Sequence, residues 1–258
     1  RAPGADLAGG AGTAAAGDAG VGAPVGRAGA GDCGRGRGQL GGQAPPPDAG
    51  PHARLISLIR EQRIADLRAE LTQTAARLGL ERFITEFCAP LIVAVGESWA
   101  GGQLDIVEEH LFTESMQAVL RTSTAGVPMS SNAPRVLLTT LPGEEHGLGL
   151  LMVESLLVLS GAYCLPLGTQ TPVPEIAQAC RRGAIDVVAL SFSAGMNPNR
   201  VTAGLKELRE ALPPGVEIWA GGRCPNLRRR APAGVEVITS LEDIEPAVRR
   251  WRAQRAGE

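Results

Sequence analysis

The chain has three histidines in 258 residues, and its five cysteines never fall in a CxxC pair. Cys33, Cys88, Cys164, Cys180 and Cys224 are odd in number and widely spaced, which argues against both a disulfide framework and a zinc cluster. The compartment this implies is a reducing cytoplasm. No GxxxxGK[ST] run occurs, so a P-loop has no support, and no nucleophile and base stand in a pattern that suggests hydrolysis. The longest apolar runs are broken by Gly, Glu or Ser, so no membrane span is expected; no signal peptide is evident either. A formal net charge of −2 gives no general electrostatic case for nucleic-acid binding. The tight basic cluster, Arg228 to Arg230, reads as a solvated loop.

What is present changes character along the chain. Residues 1–52 are built mainly from Gly, Ala, Pro, Asp and Arg and hold 16 of the 34 glycines. Such a stretch cannot bury enough apolar surface to offset its ordering entropy, so a disordered segment is expected there. Over residues 53–125 the apolar side chains recur at helical spacing. A short helix in "LISLIREQ" precedes "RIADLRAELTQTAARLG", where Ile64, Leu67, Leu71 and Leu78 share a stripe that stops at Gly79. A third helix, kinked at Pro90, covers "LERFITEFCAPLIVAVGESWA", and a fourth covers "QLDIVEEHLFTESMQAVLRTST". Four helices with short joins predict a small bundle.

Residues 126–134, "GVPMSSNAP", read as a linker. From 135 to 258 the period shortens. "RVLLTTL", "YCLPLG", "DVVALSF", "VEIWAGG" and "VEVI" are strand-like, with helices expected near 148–161, 173–182 and 198–211, a short turn or helix near 225–230, and a last helix near 241–254. Alternating strand and helix predict a doubly wound, Rossmann or flavodoxin-like parallel sheet, so the whole is an all-α bundle cap followed by an α/β domain. Ligands of such sheets bind outside the carboxyl ends of the strands. "GEEHGLG", Gly143 to Gly149, falls there, just past the first strand. Taken alone, His146 reads equally as a helix-start residue, with Glu144 and Glu145 placed well for the helix dipole.

Glu144-x-His146-x-x-Gly149 resembles the Asp-x-His-x-x-Gly motif of cobalamin-binding domains. Further on, "LSFSAG" supplies Ser191 and Ser193 and "WAGGR" supplies Gly221 and Gly222, in the order and at the strand ends where that family carries a Ser-x-Ser segment and a Gly-Gly pair. The resemblance implies that His146 is the lower axial ligand of cobalt and that Glu144 hydrogen-bonds the imidazole, fixing its tautomer. It implies too that Gly149 leaves room for the displaced nucleotide tail, which the two serines and two glycines bury. In the helical half, Trp99, nine residues, then Glu109-His110 resembles the Trp-x9-Glu-His motif of the MerR-type, adenosylcobalamin-dependent photoreceptor regulators. There the bundle caps the upper face of the cofactor, which would place Trp99, Ile106, Glu109 and His110 beside the upper ligand. Each has a plain alternative, Trp99 as a buried bundle aromatic and Glu109-His110 as a solvated or capping pair.

The resemblance covers residues 55 to 255 and departs from the family in two places: Glu144 stands where Asp is usual, and Ala100 stands where some light-sensing members have a histidine after the tryptophan. Residues 1–52 cannot form the winged helix-turn-helix that precedes the bundle in such regulators, so contact with DNA would run only through a domain missing from this chain. The resulting expectation is a cytoplasmic, non-enzymatic and homo-oligomeric sensor module of a transcriptional regulator, binding adenosylcobalamin or another cobalamin and no membrane. Two rivals stay open. One is a methyl-carrying corrinoid protein of a methyltransferase system; the other is a sensor of cobalamin or haem that acts without light, by binding another protein.

Overall fold

The computed structural model describes residues 52–256 except 129, 131, 132 and 226. Apart from His52, the stretch expected to be disordered, 1–52, lies outside the described residues. Helix α1 (Ala53–Arg60) and helix α2 (Ile64–Leu78) open the cap. Helix α3 (Leu80–Arg82) then runs through a π-helical turn (Phe83–Cys88) into helix α4 (Ala89–Ala100), and helix α5 (Ile106–Ala125) closes the cap. The π turn answers the proline. Pro90 lacks an N–H and its ring crowds the carbonyl four residues back, and just ahead of it the ladder slips by one residue, Ala89 donating to the carbonyl of Ile84.

The apolar stripes meet in one core. Leu67 and Leu71 of α2, Phe83 and Ile84 of the π turn, Leu91 of α4, and Phe112, Met116 and Leu120 of α5 are fully buried. Two expectations need correction here. The continuous helix Leu80–Ala100 is long and apolar enough to cross a membrane by length and composition, because the polar residues that interrupt the sequence do not interrupt the helix. Its buried stripe, Phe83, Ile84, Cys88, Leu91 and Val95, packs into the bundle core. His52, read with the glycine-rich segment, instead sits edge-on against the Phe87 ring at 5.5 Å between centroids. Its Nδ1 is buried without a partner among the described residues, and burial pushes its pKa down.

Beyond the linker, strand β1 (Arg135–Thr139), helix α6 (Leu148–Leu159), strand β2 (Tyr163–Gly168), helix α7 (Val173–Gly183), strand β3 (Val187–Phe192), helix α8 (Pro198–Ala211), strand β4 (Glu217–Gly222), helix α9 (Leu227–Arg230), strand β5 (Val235–Ile238) and helix α10 (Ile244–Arg255) alternate. All strand pairs are parallel, in the order β2-β1-β3-β4-β5. That is the flavodoxin-like order, whose switch point lies between β1 and β3. The sheet separates two apolar clusters. Helices α7 and α8 cover one face, with Ile176, Val201, Leu205 and Leu208. On the other face Leu156 and Leu157 of α6 and Val248 and Trp251 of α10 join the cap residues in a single cluster. A hydroxyl pair, Thr124 Oγ1 to Ser155 Oγ at 2.6 Å, adds a polar tie between α5 and α6.

Candidate functional site

The loop from β1 to α6 carries the imidazole to the switch point. Thr140 Oγ1 donates to the Glu144 carbonyl at 2.6 Å and accepts from the Gln170 amide at 2.8 Å, while the Gly143 amide donates to Gln170 Oε1 at 3.2 Å. The loop is thus braced by the residues that follow β2. These bracing groups escaped the sequence reading. Their one local signal is a Thr-Thr pair at the end of β1, a buried position where a hydroxyl needs a partner.

On that braced loop Glu144 is buried and His146 is not: the side chains are 1% and 73% exposed. Glu144 Oε1 accepts from His146 Nδ1 at 2.6 Å and from the His146 amide at 3.0 Å, and Oε2 accepts from the Ser193 amide at 2.6 Å. Burial by itself would raise the Glu144 pKa. The Ser193 amide, the His146 ring and the His146 amide outweigh it and hold the carboxyl below its ordinary value. An anionic Glu144 keeps the proton of the neutral imidazole on Nδ1, so the lone pair is on Nε2, on the part of the ring that faces solvent. The arrangement presents a single nitrogen donor of fixed orientation at the sheet's ligand-binding edge. A cavity of about 780 Å³ borders it at Glu145 and Gly147 and runs along Leu150 and Glu154 of α6 to Arg121 and Thr124 of α5.

The remaining sequence-predicted residues fall into separate groups. Ser191 lies in β3 opposite Gly149: a Cβ on that glycine would stand 2.5 Å from Ser191 Oγ, so the space it leaves is filled by the serine rather than left open. Gly221 and Gly222 end β4. Gly222, at φ +110°, backs onto β3 so closely that a Cβ would lie 2.2 Å from the Phe192 carbonyl oxygen. In the cap, Trp99 is 52% exposed and Ile106 60%, which overturns the alternative of a buried bundle aromatic. Asp105 caps α5 in a reciprocal box with Glu108, and the first turns then set Glu109 Oε2 2.7 Å from His110 Nδ1, with Thr113 Oγ1 donating to Glu109 Oε1 at 2.8 Å. Among the described residues no hydrogen bond, ion pair or ring contact joins this upper group to Glu144, His146 and Ser193.

A braced imidazole at the switch point of a flavodoxin-like sheet, in a chain whose helical half leaves apolar side chains exposed, is the arrangement of a ligand-binding module of the doubly wound class. Residues 52–122, the helical part, match the family model described as the B12 binding domain. The chain is 30% identical over 192 residues to the HTH-type transcriptional repressor CarH of Myxococcus xanthus, covering 71% of this chain and 63% of that protein. It is 28% identical over 168 residues to the repressor CarA of the same organism, covering 65% and 57%. The chain therefore spans about three fifths of the length of the curated relatives it matches. The monomethylamine corrinoid protein of Methanosarcina barkeri shares the fold, with a TM-score of 0.59 at 17% identity over 75% of this chain and 94% of that one. Residues 52–122 of this chain thus resemble the B12 binding domain, and the chain as a whole is similar in sequence to the two repressors.

Proposed function

We propose that the chain is the cobalamin-binding sensor module of a MerR-type transcriptional regulator and that it takes adenosylcobalamin. One observation carries the reading: the relay from the Ser193 amide through buried Glu144 to exposed His146, which orients a metal-ligating nitrogen at the place where doubly wound sheets bind ligands. The residues present suit the group. Cobalt takes a neutral imidazole, and His146 offers one with its tautomer set. The large apolar upper face needs apolar cover, and Trp99, Ile106 and Val107 are exposed. When bound, adenosylcobalamin supplies a cobalt centre and a light-sensitive cobalt–carbon bond.

His146 Nε2 is the lower axial ligand in this reading. Glu144 keeps the Nδ1 proton and makes the imidazole a stronger donor, and Ser193 holds Glu144 in place. Ser191, Gly149, Gly221 and Gly222 border the displaced tail, and Trp99, Ile106, Glu109 and His110 meet the upper ligand. Trp99 and Ile106 are more than half exposed, and the upper ligand would cover them, so the ends of α4 and α5 would have two environments. Light then shifts the population between two arrangements of the cap, and with it the homo-oligomeric state and the occupancy of DNA through a helix-turn-helix domain outside this chain.

The test is the visible spectrum with adenosylcobalamin in the dark and after green light, beside His146→Ala. A base-off, histidine-ligated spectrum that needs His146, changes irreversibly on illumination and is accompanied by a change in assembly supports the reading. Ligand binding that survives His146→Ala with an unchanged spectrum would remove it.

A further inference from the structure

Beside the switch point, at the carboxyl ends of β4 and β5, lies a second concavity of about 390 Å³ whose lining includes Gly222, Arg223, Arg228, Arg229 and Thr239 and no carboxylate. We propose that Arg223, Arg228 and Arg229 form a phosphate-binding site, and that its occupant is the phosphodiester of the cobalamin nucleotide tail. The choice of occupant rests on the cobalamin reading above; the phosphate site does not.

The backbone that carries these three arginines is held in place, and their exposed side chains line the hollow. Gly222 is pressed against β3, and the next two amides, of Arg223 and Cys224, both donate to the Phe192 carbonyl at 2.8 and 3.2 Å. Phe192 immediately precedes Ser193, whose amide holds Glu144, so Arg223 is fixed one strand away from the imidazole relay. The short helix α9 is anchored by buried Leu227. At its far end Arg230 Nη1 donates to Asn199 Oδ1 at 2.6 Å, and Thr202 Oγ1 donates to the Arg230 carbonyl at 3.3 Å. Arg230 is thereby committed to α8, while Arg228 and Arg229 line the concavity.

Charge points the same way. Elsewhere Arg54, Arg63, Arg82, Arg249 and Arg250 are paired with carboxylates, but among the described residues no ion pair reaches Arg223, Arg228 or Arg229. Asp243, four residues beyond the lining residue Thr239, is taken up by the Thr239 hydroxyl at 2.6 Å and the Ser240 amide at 3.0 Å. Three like charges held around one hollow without a counter-ion repel one another, and a group of opposite charge relieves this. Guanidinium forks match the oxygens of a phosphate in pairs, and the hollow opens on the edge where this fold binds ligands. With His146 on cobalt, the nucleotide tail must leave the metal and brings its single phosphodiester toward the sheet.

The experiment compares cobalamin with cobinamide, which keeps the corrin ring and lacks the nucleotide and its phosphate. The wild type and the double variant Arg223→Gln, Arg228→Gln are titrated with each in the dark, and each protein is also melted with and without inorganic phosphate. Matching circular dichroism of the two proteins shows that the variant is folded. The expected result is a cobalamin affinity at least tenfold weaker in the variant, with cobinamide affinity unchanged. Equal losses for both ligands, or no loss together with no phosphate-dependent melting shift in the wild type, would overturn the site. A shift lost in the variant, with cobalamin affinity intact, keeps the phosphate site and assigns it to a separate phosphate-bearing ligand. If the wild type bound neither corrinoid, the cobalamin reading would fall, and the melting shift alone would decide the arginines.

Discussion

Glu144 and His146 are two residues apart and play opposite physical parts. Glu144 is a buried anion with three donors on it; His146 is a largely exposed ring with one nitrogen committed. Truncating the first strands the Ser193 amide, so Glu144→Ala is expected to cost about 1–3 kcal/mol in denaturant unfolding. Removing the exposed ring in His146→Ala should stay within about 0.5 kcal/mol while abolishing the histidine-ligated cobalamin spectrum. A destabilised His146→Ala would return the histidine to a helix-start role. The depressed Glu144 pKa adds a pH signature. A carboxyl lowered on folding contributes stability that is complete above its unfolded value and fades as the pH falls through the folded value. Unfolding midpoints measured from pH 7 down to pH 3 should therefore drop below about pH 4.5. Glu144→Gln should drop less steeply, and parallel curves would show that the carboxylate does not drive the acid limb. The Glu144-His146 pair was legible from spacing. Ser193 was legible as a site residue, expected at the nucleotide tail, but its bond to Glu144 was not, because the donor is a backbone amide 49 residues away and an amide leaves no mark in a sequence.

At the scale of elements, strand and helix limits were read closely because each apolar run matches one period and several are bounded by Gly, Pro or Asn. Helix α8, for example, starts at Pro198 with the Asn197 side chain accepting from the Asn199 and Arg200 amides. The π turn was not legible, since Pro90 signals a disturbance but leaves its form to the packing of Phe83 and Ile84. The two close approaches of glycine to β3 differ in kind, which gives a prediction. In Gly149→Ala the new methyl meets a serine hydroxyl, and Ser191→Ala in the same chain should restore much of the lost stability. In Gly222→Ala it meets backbone at a positive φ, and Ser191→Ala should rescue nothing. Thermal melts of the four variants check this, and equal rescue in both backgrounds would refute the packing shown. The capping box of α5 is a second element-scale test. Asp105→Ala should cost about 1 kcal/mol, and because the first turns of α5 carry Ile106, Glu109 and His110, it should also weaken cobalamin binding. Unchanged affinity would place these three residues away from the ligand.

Over the whole molecule, cap and sheet share one apolar cluster, and α6 is the element common to both. It begins just after His146 and Gly147, and its body lies against α5, where Thr124 meets Ser155. The imidazole thus sits at the start of a helix whose body is packed against the cap. A cap that swung clear of the sheet would have to part Leu156 and Leu157 from the bundle residues they are buried with. The shared core predicts a single unfolding transition. Leu120 of α5 is fully buried, and Leu120→Ala should cost about 2–5 kcal/mol. With Trp99→Phe as background, the remaining tryptophans, Trp219 of β4 and Trp251 of α10, both belong to the α/β half and report from its side of the shared core. Their fluorescence midpoint in denaturant should fall together with the helical circular-dichroism midpoint when Leu120 is truncated. A fluorescence midpoint that stayed put while the helical signal fell would mean that cap and sheet unfold independently, and α6 could not then carry a signal from His146 to α5.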